Sequence, residues 1–270
     1  MFGQASLLRP ADTILHRELP YGNKAVRCPR RVRTYLDGGL DSWRPPTYHH
    51  PAVERYLKST NFIDCDTESI MEKARLVTEG LESDRERAVA LYYFVRDQIK
   101  HNPYAPAQLP EDYKASSTLE RGHGFCQHKA TLLVALARSV GIPARLGFVD
   151  VRDHLLSEKF RKMVGGDNLL IQHGYAELYI GGKWVHASPA YDLETCQKAG
   201  FIPVDFDGVN DAKDSAYNRE GKPHIEHEKD HGHFDDFPFD YIREYQREWV
   251  ARIGREWNEY IDNVRKHEVR

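Results

Sequence analysis

The chain has 270 residues, a formal net charge of −3 and 29% charged residues. A chain of this length buries a substantial core, either in one large domain or in one domain with extensions. Near-neutral charge leaves no basic footprint for nucleic acid, and no apolar run approaches the roughly 20 residues of a membrane span, so neither partner is expected.

Four cysteines, Cys28, Cys65, Cys126 and Cys196, are scattered without a CxxC pair. This usage fits free thiols in a reducing cytoplasm better than a disulfide framework. Arg9, Asp12, Arg17 and Glu18 interrupt the first twenty residues, so no secretory signal core is read there.

Residues 1–50 are rich in Arg, Pro and Tyr and read as an N-terminal arm. A core domain is expected over 51–200. Its first helix follows Asp66 through Ile70, Ala74 and Val77. Ser83 and Glu86 form a capping box that opens a second helix through Tyr92 to Ile99. Gly122-His123-Gly124-Phe125 then leads into a third helix starting at Cys126. Ala130, Leu133, Ala137 and Val140 give it a buried face, and Gly141 with Pro143 stops it.

Ile142 to Val151 alternates as a strand. Residues 154–167 are polar and read as a loop or short helix. Two strands flank the Gly181-Gly182 turn, and a two-residue turn pairs Ile180 with Lys183, Tyr179 with Trp184 and Glu177 with His186. That register puts Ala176, Leu178, Ile180, Val185 and Ala187 on one face. His173, Tyr175, Glu177, Trp184, His186 and Ser188 share the other, which suits a cleft wall. The last segment, 201–270, combines an irregular acidic, His-rich stretch with an amphipathic helix marked by Tyr241, Tyr245, Trp249, Trp257 and Tyr260, packed on the core.

A cysteine on the first turn of a helix meets unpaired N–H groups and the positive end of the helix dipole. Both favour thiolate. Free cysteine is equally familiar as a small buried hydrophobe, so the case for a nucleophile at Cys126 needs a base. His173 on the polar hairpin face is the candidate, with Ser188 and Asp192 as its diagonal neighbours if the strand continues past Pro189. Gln127 and His128 flank Cys126, and His128 is either a second proton donor or an exposed helix residue. Asp150, Arg152 and His154 form a polar group after a strand, either binding a small polar substrate or forming a salt-bridge network. His224, His227, His231 and His233 match no closed zinc pattern. They read as a solvated loop, possible lid to a cleft, with no metal or cofactor called for.

The runs from Gly122 to Arg145, His173 to Tyr179 and Gly181 to Asp192 together resemble the transglutaminase-like superfamily, over about residues 56–192. The resemblance implies an α+β fold. It has a papain-like core with a helical N-terminal half, an antiparallel sheet carrying the histidine, and an appended C-terminal helix. It also implies a Cys–His–Asp triad in which Cys126 is the nucleophile and His173 the base. Trp184 matches the tryptophan preceding the third member, and Ser188 stands where the family usually has aspartate. Asp192, Asp150 or Glu177 are the substitutes weighed for it. Trp184, Asp150, Arg152 and Gln127 are the candidate substrate-binding residues.

The activity implied is acyl transfer on a peptide, protein or small-molecule amide or ester through a thioester at Cys126. The alternatives are a specialised small-molecule reaction, such as amide formation or carbon–carbon cleavage, and a non-catalytic scaffold that has lost the aspartate.

Overall fold

The computed structural model describes residues 51–163 and 166–247. The arm expected over 1–50 and most of the terminal aromatic stripe lie outside the described residues. A short helix α1 (Pro51–Glu54) and a 3-10 turn precede α2 (Glu68–Thr78) and α3 (Asp84–Gln98). Ser83 caps α3 as expected: its side chain accepts the Glu86 N–H at 3.2 Å, and Glu86 accepts the Ser83 N–H at 3.1 Å. The parallel two-residue strands β1 (Lys100–His101) and β2 (His123–Gly124) bracket α4 (Ala115–Arg121). After β2 the chain turns directly into α5 (Cys126–Ser139).

α5 is the axis of the core. Every residue from Gln127 to Arg138 is buried, because α2, α3 and α4 surround it on one side and the sheet covers the other. A helix buried all round must satisfy its polar side chains internally. Lys129 Nζ donates to the Arg96 carbonyl at 3.0 Å, and burial pulls this amine down to about 7. The Arg138 guanidinium ties three segments together through the carbonyls of Lys58, Ala144 and Asp235. Gly141 takes φ +82° and Pro143 follows, so the helix stops where the sequence says.

The remaining elements are β3 (Ala144–Asp153), α6 (Glu158–Met163), β4 (Leu169–Ile180), β5 (Lys183–Ala187), α7 (Leu193–Ala199) and β6 (Ile225–Phe234), followed by a helical stretch over 239–247. The strands form one antiparallel sheet in the order β5-β4-β3-β6. Helices cover one of its faces, so the fold is α+β. The hairpin register is the expected one from Ile180↔Lys183 to Ala176↔Ala187, and its aliphatic face lies in the core.

Two expectations are corrected. β5 ends at Ala187, and Ser188 N donates to the Ala212 carbonyl at 3.0 Å instead of continuing the ladder. The stretch expected to be irregular beyond residue 200 supplies β6, an edge strand on β3 within the same sheet. Its sequence, Ile-Glu-His-Glu-Lys-Asp-His-Gly-His-Phe, lacks apolar alternation because its outward groups face solvent, and a charged edge strand also resists pairing with other chains.

Gly174 on β4 faces the first turn of α5. A Cβ there would stand 2.9 Å from the Gln127 Cα, too close for the main chains to accommodate. Gly174→Ala should therefore cost about 1–3 kcal/mol of stability by overpacking. Thermal or urea unfolding of the variant checks this, and an unchanged midpoint would disprove the tight contact.

Candidate active site

Three segments meet at Cys126. α5 presents the thiol on its first turn, where the N–H groups have no helical carbonyl to bond. β4 presents His173, which hydrogen-bonds Cys126. The segment between α7 and β6 presents Asp214, whose Oδ2 is 3.2 Å from His173 Nε2. The approach lies off the line of the ring N–H, so charge attraction more than hydrogen-bond alignment holds this pair. His173 and Asp214 side chains are 6% and 4% exposed, which keeps the ion pair out of screening water.

The electrostatics follow from that burial. Desolvation alone would raise the Cys126 thiol, but the His173 charge and hydrogen bond, with the N–H groups of Gly174 and Gln127, outweigh it and hold the thiol below its ordinary value. Desolvation would likewise lower His173, yet Cys126 and Asp214 hold the imidazole well above its ordinary value. Asp214, which burial alone would push up, is brought down to about 2 by His173, with Ser188 assisting. The stability due to this carboxylate is thus fully present above the ordinary carboxylate pKa and is lost as the pH falls through about 2.

The residues expected in the third position are placed differently. Ser188 Oγ donates to Asp214 Oδ2 at 2.6 Å, so it steadies the carboxylate and does not accept the His173 N–H. Asp192 caps α7 by accepting the Thr195 N–H at 3.0 Å, and it accepts the His101 N–H at 2.8 Å. Glu177 is held by Arg145 and His233. Nothing in the sequence separates Asp214 from Asp205, Asp207 and Asp211, since a loop and not a periodic element carries it. The Ala212 N–H bonds the His186 carbonyl at 2.9 Å, and this clamp brings the loop under His173.

A β-bulge lies immediately before the histidine. Between Val149↔His173 and Val151↔Leu170, the single residue Asp150 opposes both Ile171 and Gln172, and Gln172 takes φ +56°. This is left-handed backbone, which a non-glycine residue adopts only when its surroundings impose it. Asp150 imposes it by accepting the Gln172 N–H at 2.7 Å, and it is itself fixed by His231 at 2.7 Å and Tyr245 at 3.0 Å. Gln127 completes the link, its Nε2 donating to the Gln172 carbonyl at 2.8 Å.

A cavity of about 360 Å³ opens beside the thiol. Cys126, His173 and Gln127 line it together with His101, Tyr104, Phe160, Leu170, Tyr191 and Phe201. Of the four expected substrate-binding residues, only Gln127 is on this wall. Trp184 instead packs edge-on against Tyr56 and Tyr179 under the Arg145 guanidinium. Arg152 binds Glu228 and Asn168, and Asp150 serves the bulge.

His128 is fully buried, packed against the Tyr113 and Phe125 rings, and its Nδ1 accepts the Phe125 N–H at 3.4 Å. Burial keeps it neutral, with its pKa well below the ordinary value, and it is not exposed as the sequence reading allowed. The β6 histidines disperse: His231 binds Asp150 and His233 binds Glu177. No β6 residue lines the cavity, so this segment is no lid, and among the described residues no three His, Cys, Asp or Glu side chains are grouped to hold a metal.

Asp150→Ala should lower stability by about 1–3 kcal/mol, the cost of a buried N–H left unpaired. It should also slow alkylation of Cys126 by iodoacetamide, because the strand residue next to His173 loses its anchor. A substrate ligand at this position would leave so small a reagent unaffected, and unchanged alkylation would refute the positioning role.

With the geometry in place, the chain can be set beside known proteins. Residues 72–189 match the family model of the transglutaminase-like superfamily. A protein of Cytophaga hutchinsonii, described provisionally as a cysteine protease, superposes with a TM-score of 0.41 at 18% identity, over 52% of this chain and 42% of that one. A protein of Parabacteroides distasonis, described provisionally as a protease, gives 0.32 at 16% identity, over 50% of this chain and 24% of that one. The chain thus spans less than half the length of either. No curated protein matches it. None of the described helices is long and apolar enough to cross a membrane.

Proposed function

We propose that the chain, whose residues 72–189 match the model of the transglutaminase-like superfamily, is a cysteine-nucleophile enzyme of acyl transfer, with Cys126, His173 and Asp214 as its triad. The buried Cys126–His173–Asp214 line carries this reading. A thiolate and an imidazolium that stabilise each other are ready to react near neutral pH without an external base. The carboxylate at Nε2 leaves Nδ1 for the sulfur and stabilises the imidazolium form.

In the proposed reaction the Cys126 thiolate attacks an amide or ester carbonyl in the cavity. Free N–H groups of the first turn of α5 stabilise the oxyanion, a type of interaction worth about 3 kcal/mol per donor. His173 gives its proton to the departing amine or alcohol, leaving a thioester at Cys126. Water, or an amine acceptor, then adds to the thioester with His173 taking its proton, and the thiolate returns. Gln127 contributes by joining the nucleophile turn to Gln172, the bulge residue next to His173. Asp214 beside His173 favours this reading over a non-catalytic scaffold lacking the carboxylate.

The ion pair predicts the pH profile. An ordinary thiol loses reactivity tenfold per pH unit below its pKa. Cys126 should instead alkylate at a nearly constant rate from pH 8 into the mildly acidic range, because the pair persists between its lowered thiol and its raised imidazole. Asp214→Asn lowers the imidazole pKa and so raises that of the thiol. With a charge-assisted contact worth about 1.5–3 kcal/mol, alkylation at pH 6 should fall about tenfold to a hundredfold. Iodoacetamide kinetics with peptide mapping read both, and faster labelling of Cys65 or Cys196 than of Cys126 would defeat the proposal.

A further inference from the structure

The cavity wall beside the thiol is apolar or aromatic over most of its extent, with Tyr104, Leu155, Leu156, Phe160, Leu170 and Phe201 contributing. Asp153, at the end of β3, interrupts it with a carboxylate 2% exposed. Its ligands are few. Oδ1 accepts the Leu155 N–H at 2.9 Å, and Oδ2 receives a long contact of 3.4 Å from the Tyr191 hydroxyl. Behind it, His224 is also 2% exposed and stacks on Phe201 at 4.1 Å between ring centroids. Its Nε2 is 3.9 Å from Asp153 Oδ1, beyond hydrogen-bond reach, and neither ring nitrogen has a hydrogen-bond partner.

A buried carboxylate with one firm donor, next to an unpartnered buried imidazole, is unfavourable in an apolar wall unless something completes it. The catalytic line does not use either group. A donor entering by the cavity can reach the carboxylate, because Asp153 is part of the cavity wall. Aromatic faces at Tyr104, Tyr191 and Phe201 share that wall, and aromatic faces together with a carboxylate favour a cation over a neutral donor. The only other side chain of fixed charge among the described lining residues is Arg243, which is exposed on the stretch 239–247 and sits near Phe239.

We propose that Asp153, backed by Tyr191 and His224, is the substrate-recognition anchor of this cavity and selects molecules bearing a primary ammonium group on an apolar arm. This rests on the cavity being the substrate site of the Cys126 chemistry. The ammonium donates to Asp153 and the arm lies along Leu155, Leu156 and Phe160, leaving the carbonyl end of the substrate toward Cys126. Burial raises the Asp153 pKa and lowers that of His224, so without a ligand the two resist being ionised together, and an entering cation supplies the charge that the carboxylate lacks.

Three simple probes test this: n-hexylamine, hexan-1-ol and hexanoate, titrated calorimetrically into the intact protein at pH 7. Hexylammonium should bind at least ten times more tightly than hexanol, and hexanoate more weakly than either. The advantage of the amine should fall to within twofold in Asp153→Asn and should survive in Cys126→Ser. Equal binding of amine and alcohol to the wild-type protein would overturn the proposal without recourse to any variant, as would an amine preference retained by Asp153→Asn. Tighter binding of hexanol would identify a neutral donor site instead and would equally overturn it. Because the titration needs no reactive thiol, a failure of Cys126 to alkylate would sink the proposed function separately.

Discussion

The approach of β4 to the first turn of α5 at Gly174 is the contact on which the rest of the molecule depends. It is a main-chain contact with almost no freedom, since the space a side chain would need is taken by the Gln127 backbone. Closely packed interiors transmit such constraints without slack. The thiol at the start of α5 and the imidazole one residue before Gly174 are therefore fixed relative to each other by backbone, with little left to side-chain rotamers.

Two devices make that contact useful. The buried α5 acts as a rigid mount, with Lys129 and Arg138 binding carbonyls of surrounding segments. The bulge at Gln172 redirects β4 locally, and Asp150 holds it open by accepting the strained residue's N–H. The ladder is regular as far as Val149↔His173, so His173 keeps the alternation set by the hairpin, and the extra residue bends the strand immediately before it. The cost of left-handed backbone at Gln172, of order 1–3 kcal/mol, is offset by three hydrogen bonds to one carboxylate.

Burial of the Cys126–His173–Asp214 line acts in two opposed ways. It penalises each charge alone, yet it strengthens the attraction between them by excluding water. The outcome is a set of groups whose protonation states are defined only together, which suits a nucleophile that must be charged without being exposed. The same low dielectric surrounds Asp153 and His224, where both ring nitrogens of the imidazole lack a hydrogen-bond partner.

The sequence by itself determined α2, α3, α5, the hairpin and two members of the candidate site. Cys126 was legible because a glycine turn, a helix start and a helix stop are all local signals. His173 was legible because a two-residue Gly-Gly turn fixes register over several pairs, and β4 and β5 kept that register as far as Ala187. Tertiary structure decided the rest. Asp214 arrives from a loop held by a pair of main-chain hydrogen bonds around Ala212, by the His186 N–H on Asp211 and by Ser188 on Asp214 itself, and none of these contacts between distant segments leaves a local pattern in the sequence. Ser188 and Asp192 were judged by extrapolating a ladder that stops before Pro189. Asp150 and Arg152 looked like ligands because polar residues after a strand are equally suited to a cleft, a bulge or an edge. β6 went unread because a charged edge strand is stabilised by its neighbour's hydrogen bonds, which local apolar pattern does not encode.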